Sequence, residues 1–405
     1  MKLTTRVALR HLRSKHSFGF ISFSTILSIL GLTIGIASLI IISCISRGFN
    51  DVINFKLSGI DGHLRIRSFL SEEISQFKIQ EIDSIIHLLS SDLEFTAPYL
   101  EKHAIIRNGP LTEGIILYGV PENALDEIFQ LNQFSNTNSE FINDDGIIVG
   151  KKLAEIMNIY PNDNIIVLNA DKMATHQILD AKNLKVVSTF QTDFPEYDRL
   201  LAFIPLKTAQ SFFGMENQAT GLICNVKNPH KIEKTDIILA DAVGSFPYMT
   251  TTWKERHASL LDWLNIYDVP IKLIMIFITI VGIFNIGASL WMIIIEKTTD
   301  FGILQSMGLS RGLITEIILK EGAIIGVLGS IFGIIFSLIV LLLESEYHFI
   351  RLPNDIYFMD YLPVHIAPEY FFVYPFIALI ITLLFAYLPA KKAANISASE
   401  ALRYE

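Results

Sequence analysis

Cysteine is nearly absent: the 405 residues hold two, Cys44 and Cys224. One falls inside a long apolar run and the other late in a polar segment. Neither a disulfide framework nor a cysteine-built metal site is expected. A basic excess is absent too, with 32 Lys/Arg against 41 Asp/Glu. Between residues 47 and 268 the balance is 19 basic to 30 acidic, a net of −11. That argues against nucleic acid as a partner, which wants a basic surface. Catalytic signatures are missing as well. HExxH does not occur. In the nearest approach to a phosphate loop, Asp145 replaces the first glycine and Lys152 replaces the Ser/Thr, so no phosphate cradle is expected. The ten histidines are scattered, and none pairs with another at ligand spacing. Asp193, Glu196 and Asp198 gather around Pro195 without a base beside them and read as a solvated turn. The chain is therefore expected not to be an enzyme, with no catalytic residue, no metal and no cofactor of its own.

What is present is long apolar sequence. Mean hydropathy is +0.44, and 51% of residues are hydrophobic. Four runs reach the ~20 residues that a helix needs to cross a hydrocarbon core: 20–46, 269–295, 321–343 and 370–389. Residues 47–268 have ordinary soluble composition. The expected fold is thus a polytopic α-helical membrane protein with four transmembrane helices, plus a large α+β extracytoplasmic domain inserted between the first and second. Orientation follows from Lys and Arg. The N-terminal tail carries Lys2, Arg6, Arg10, Arg13 and Lys15, and segment 296–320 carries Lys297, Arg311 and Lys320. Lys391, Lys392 and Arg403 mark the tail 390–405, while the loop 344–369 is mostly acidic. Both tails and segment 296–320 are expected in the cytoplasm, with 47–268 and 344–369 outside.

Residues 1–19 read as a basic amphipathic helix on the inner leaflet. The first run is too long for a signal-peptide core and reads as an uncleaved span. Gly31 and Gly35 in it, and Gly322, Gly326, Gly329 and Gly333 in the third, have the small-residue spacing that lets helices approach closely. Asn285 is polar at membrane depth and is expected to hydrogen-bond to a neighbouring helix. The domain 47–268 shows alternating stretches at 63–67, 104–106, 114–120, 146–149, 164–168, 184–189, 200–204 and 221–226. Helical pieces fall at 72–89, 151–158, 206–213 and 229–239, which is an α+β pattern. Residues 169–183 read as a long hairpin arm or loop, and 251–265 as a helix running straight into the second span.

Segment 296–326, EKTTDFGILQSMGLSRGLITEIILKEGAIIG, is a well-charged break between apolar runs. Phe301, Leu304 and Met307 fall near helical spacing, Gly308 permits a tight turn, and Ser310 can cap the next helix. The pattern fits a short docking helix with an apolar knob and also fits a plain loop. This segment resembles the coupling segment of MacB/FtsX/Lol-type ABC transporter permeases. The resemblance extends over nearly the whole chain. ALRHLRSK and GFISF at the start, FNIGASLWMIIIEKTTDFGILQSMG, the loop RLPNDIYFMDYLPVHI and the ending LPAKKAANISASEALRYE resemble the lipoprotein-releasing LolC/LolE permeases. Residues 43–47 and the proline-free arm 169–183 depart from that pattern. They leave the LolC-like versus LolE-like role open, along with the choice between homodimer and heterodimer.

The resemblance implies a permease of the bacterial inner membrane with its large domain in the periplasm. It implies a separate ABC ATPase subunit that uses ATP, docked at Glu296, Phe301, Leu304, Met307 and Gly308. It also implies a second permease copy or paralogue, an acylated lipoprotein cargo and a periplasmic chaperone that receives it. Ile41, Ile45, Phe49, Ile271 and Met275 are apolar enough to house acyl chains. At ~0.8 kcal/mol per buried CH₂, and on the order of 30 methylenes in the anchor, unshielded extraction costs tens of kcal/mol. Two other functions stay open on sequence: a regulator resembling FtsX that activates a periplasmic enzyme, and a MacB-like efflux permease.

Overall fold

A computed structural model describes residues 20–71, 73–90, 92–134, 145–170, 172, 180–243, 247–296 and 298–394. The expected amphipathic helix 1–19, most of the arm 169–183 and the end of the tail lie outside the described residues. The chain forms two compact units: 1–50, 263–351 and 361–405 make one, and 51–262 with 352–360 make the other.

The first unit holds helical runs long and apolar enough to cross a membrane. Among the described residues four helices qualify: α1 (Phe20–Asp61), α10 (Ala258–Glu296), α12 (Arg311–Tyr347) and α14 (Pro368–Ala394); the helices between α1 and α10 belong to the second unit. Small residues decide which of them pack. A Cβ on Gly329 would lie 2.7 Å from Leu32 of α1, and one on Gly333 would lie 3.0 Å from Ile36. Bare glycine at these positions lets α1 settle against α12, where van der Waals contact is the main driving force available in lipid. Thr33 Oγ1 donates to the Gly329 carbonyl at 3.4 Å. Gly326 meets Leu379 and Thr382 of α14 in the same way. Leu32, Ile36, Ile40, Cys44, Ile325, Leu341 and Ala386 form the shared core.

The second unit is built on a nine-stranded sheet. In chain order its strands are β1 (Leu64–Ser68), β3 (Leu93–Asn108), β4 (Leu111–Val120), β5 (Gly146–Gly150), β6 (Asn164–Asn169), β7 (Ala181–Phe190), β8 (Leu201–Pro205), β10 (Gly221–Val226) and β11 (Tyr248–Thr252). β2 (Ile74–Ser75) and β9 (Gln218–Ala219) pair separately. The order is β11-β1-β10-β3-β4-β8-β5-β7-β6, and β6 pairs back onto β3, closing the second half. β3 is sixteen residues long because it serves both halves: Leu93 to Tyr99 pair with β10, and Leu100 to Asn108 pair with β4.

Two cores result. One packs Leu64, Ile66, Leu222 and Cys224 of the sheet under α2 (Gln76–Leu89) and α8 (Ile232–Val243). The other fills the closed half with Ile106, Leu117, Val149, Val167 and Val186, covered by α5 (Lys151–Met157) and α7 (Leu206–Phe213).

All eight expected strands form. The expected helix 251–265 running into the second span holds from Ala258, where α10 begins, and is corrected before it: Tyr248–Thr252 is a strand, and Thr252 caps the short α9 (Trp253–Arg256) with a reciprocal box to Glu255. The chain turns at His257 before α10 begins. Sequence also passed over α3 (Ala124–Glu127), α4 (Leu131–Phe134) and α6 (Pro195–Leu200).

Candidate functional site

The segment after α10 folds as α11 (Thr298–Ser306), a turn at Gly308, and then α12. Gly308 has φ +94°, which an L side chain rarely adopts, and the amides of Gly308 and Leu309 return to Gln305 and Leu304. This is a glycine-terminated helix end. Ser310 sits extended before α12, and its hydroxyl makes no capping bond.

The expected knob is turned around. Phe301 is only 2% exposed. It packs on Ile314, Ile317 and Ile318 of α12 and on Ala390, Ala393 and Ala394 of α14, and Leu304 joins it half-buried. The surface carries Met307 at 78% exposure, with Ile303 and Leu313 beside it in sequence also exposed. The expectation that Phe301 and Leu304 present an outward face is therefore corrected. The alanines that receive Phe301 come from the far end of the chain. Gln305 adds a hydrogen bond to the Ala394 carbonyl at 3.2 Å. Glu296 ends α10, and its side chain lies outside the described residues.

An apolar cavity of about 430 Å³ lies between α1 and α10. Its walls are Ile34 and Ser38 on one side and Ile274, Phe277, Ile278 and Val281 on the other, with Gly31, Gly35 and Gly282 widening it and Asn285 at its margin. The Asn285 amide covers Gly31: a Cβ there would stand 1.7 Å from Asn285 Nδ2. Asn285 thus lies against Gly31 of α1. Gly35 does not support close packing, since nothing approaches it within 4 Å. None of Ile41, Ile45, Phe49, Ile271 and Met275 lines this cavity. Ile41 instead packs into the α1–α12–α14 core. Gly322 is buried in α12.

The α+β unit contains two polar clusters, one that sequence did not single out and one that it read as a solvated turn. In the first, Arg65 is 1% exposed and donates to Asp61, to Glu101 Oε2 at 2.7 Å and to Tyr118 Oη at 3.1 Å. Its guanidinium lies 4.9 Å from the Tyr99 ring centre, a cation–π contact. Asp61 also takes Arg256 at 2.6 Å and His257 at 3.1 Å, and His257 reaches Tyr197 Oη at 3.0 Å. Burial alone would lower Arg65, but Asp61 and its neighbours hold it well above its ordinary value, fully charged. Burial and the nearby Asp61 carboxylate push Tyr197 up, so its hydroxyl stays protonated. Asp61 ends α1, and His257 immediately precedes α10. The cluster therefore fixes the root of one long helix to the root of another. Breaking one partner of such a buried pair leaves an uncompensated charge. Nearby, burial lowers the His63 imidazole to about 4; its Nδ1 accepts from the Val226 amide at 2.9 Å.

The second cluster corrects the solvated-turn reading of residues 193–198. Asp198 is 5% exposed and accepts from the Thr192 amide and hydroxyl, both at 2.8 Å. Burial raises it despite those bonds. Asp193 pairs with Lys56 at 2.5 Å and accepts from Asn354 Nδ2 at 2.8 Å. Burial would raise Asp193, but these bonds outweigh it and hold the carboxyl below its usual range. Among the described residues no group of three His, Cys, Asp or Glu is placed to hold a metal.

The family model of the MacB-like periplasmic core domain matches residues 25–236, and that of the FtsX-like permease C-terminal matches 272–398. The chain is 26% identical over 420 residues to the lipoprotein-releasing system transmembrane protein LolC of Xylella fastidiosa (strain 9a5c), covering 100% of this chain and 99% of that protein. It is 22% identical over 413 residues to the corresponding LolE of Haemophilus influenzae, covering 98% of each. Among solved structures, the periplasmic region of MacB from Actinobacillus actinomycetemcomitans aligns over 50% of this chain and 95% of its own length, with a TM-score of 0.35 and 10% identity.

Proposed function

Because the chain belongs to the MacB/FtsX-like superfamily of ABC transporter permeases, in its lipoprotein-releasing LolC/LolE family, we propose that it extracts acylated lipoproteins from the bacterial inner membrane and passes them to a periplasmic chaperone. The observation that carries this reading is the end-to-end match to LolC- and LolE-named relatives, which spans the α+β unit and all four apolar helices. The site geometry fits. The cavity between α1 and α10 is apolar, lies on helices exposed along much of their length, and has a volume suited to part of an acyl chain. Shielding a chain there removes part of the cost of drawing it into water, about 0.8 kcal/mol per methylene.

In this account the chain hydrolyses nothing itself. A separate ABC ATPase docks on the exposed edge of α11 and the turn after it. Met307 and Ile303 are its apolar contacts, and Gly308 sets the turn. Phe301 and Leu304 brace that edge from within. A second permease, a copy or a paralogue, completes the membrane part. The test is co-purification of the chain with an ATPase whose activity rises on addition of lipoprotein. Stimulation by a small-molecule drug would support efflux, and stimulation by a periplasmic hydrolase would support the regulator. Either result without a lipoprotein response overturns the proposal.

A further inference from the structure

The loop between α12 and α14 contributes nine residues, 352–360, to the α+β unit. Its short helix α13 (Asn354–Tyr357) carries Asn354 to Asp193. Asn354 Nδ2 also reaches Asp360 Oδ1 at 3.1 Å, and the Leu352 amide donates to the Asp360 carbonyl at 2.9 Å, closing the segment on itself. At its tip the Phe358 ring stacks on Phe194, centroids 4.5 Å apart and planes at 17°. The Phe358 carbonyl accepts from Lys56 Nζ at 2.9 Å, the same ammonium that pairs with Asp193.

Three features set this contact apart from a permanent brace. Apart from the buried Met359, it rests on one ring stack and one polar knot, and Asn354 and Phe358 are only partly buried. Two of its residues, Asp193 at φ +66° and Phe358 at φ +60°, hold left-handed conformations without being glycine. Such conformations are costly and persist where surrounding contacts impose them. The Asn354 Oδ1 atom is buried with no partner, so the docked state leaves an acceptor unmet. Lys56 belongs to α1, and the ends of segment 352–360 lead by sequence into α12 and α14. The Lys56–Asp193 pair thus holds the segment to the last turns of α1 within the α+β unit.

We propose that segment 352–360 is a reversible latch. Asn354 and Phe358 dock on Asp193, Lys56 and Phe194 in one state of the transport cycle and release in another. The docked and released states themselves need only this chain; the link to nucleotide rests on the transporter reading above.

The test is hydrogen exchange on the full chain in nanodiscs. A latch predicts that the Leu352 and Phe358 amides exchange through a local opening insensitive to mild denaturant, while the sheet amides of β5 and β8 require global unfolding. Phe358→Ala should speed latch exchange about tenfold, the size expected for losing one aromatic stack and its burial. It should leave the sheet amides unchanged, which separates release from misfolding. Asn354→Asp, which places a carboxylate against Asp193, should act in the same direction. With the ATPase bound, vanadate trapping should shift wild-type exchange toward the Phe358→Ala rate. Latch amides that exchange only with global unfolding overturn the proposal whatever the function. Local opening that nucleotide does not alter overturns its place in the cycle. Failure of any ATPase to bind counts against the functional reading and leaves the exchange result on the chain alone to decide the latch.

Discussion

The helices α10 and α12 are close in length, 39 and 37 residues, and both are strongly apolar. Yet α12 buries Ile325, Gly326, Gly329, Gly333 and Leu341 among others, whereas only Ser289 is buried among the described residues of α10. The difference lies in where small residues fall. In α12, Gly326, Gly329 and Gly333 meet α14 and α1 at contact distance. In α10, nothing approaches Gly282 within 4 Å, and Gly287 barely touches Phe385. Among the glycines of α1, Gly31 is met closely by α10, through Asn285. Since lipid tails are as apolar as leucine, hydrophobicity alone does not bring helices together in a membrane. α12 is a scaffold helix. α10 is more open: it borders the cavity on one side and meets α14 where Lys392 Nζ lies 4.9 Å from the Trp291 ring centre.

Breaking the scaffold should cost most. Phe301→Asp places a carboxylate among Ile314, Ile317 and Ala390, and a loss of about 3–5 kcal/mol is expected, the scale for an uncompensated buried charge. Thermal unfolding of the detergent-solubilised chain, read by intrinsic fluorescence, checks it. Gly329→Leu prises α1 from α12 and should cost about 1–3 kcal/mol, the usual range for overpacking. Gly31→Leu collides with Asn285 and should cost about 1 kcal/mol, because α10 has room to shift. On the open side, Gly282→Leu should change stability by no more than about 0.5 kcal/mol while filling the cavity. Lipoprotein release should fall although the fold and ATPase binding persist. Met307→Asp should be the quietest in stability, within about 0.5 kcal/mol, and yet abolish lipoprotein-stimulated ATP hydrolysis. A scaffold glycine that tolerates leucine, or a cavity glycine that does not, would erase the contrast between the two helices.

Much of this was legible in the chain. The four apolar runs and the eight alternating strands follow from periodicity, and each strand formed. β11 was missed because its sequence, YMTTT, has little apolar alternation. The inversion of α11 had a different cause. Its apolar spacing is plain, but spacing does not say which surface the stripe meets, and Ala390, Ala393 and Ala394 lie some ninety residues away. The same distance hid the polar clusters. Lys56 and Asp193 are 137 residues apart, and Asn354 is a further 161 on. The acid run at 193–198 looks like a turn because nothing local shows that Asp198 caps its own loop from inside. The lining of the cavity between α1 and α10 was not legible, since sequence cannot separate the Ile41 that packs inward from the Ile34 that lines the cavity.

The central claim is lipoprotein extraction. It is tested most directly by reconstituting this chain with its co-purifying ATPase and a radiolabelled lipoprotein in proteoliposomes, with periplasmic extract as acceptor. The account predicts ATP-dependent transfer of the label into the soluble fraction, diminished by Gly282→Leu and lost with Met307→Asp. Intact ATP hydrolysis with every label retained in the bilayer would contradict it.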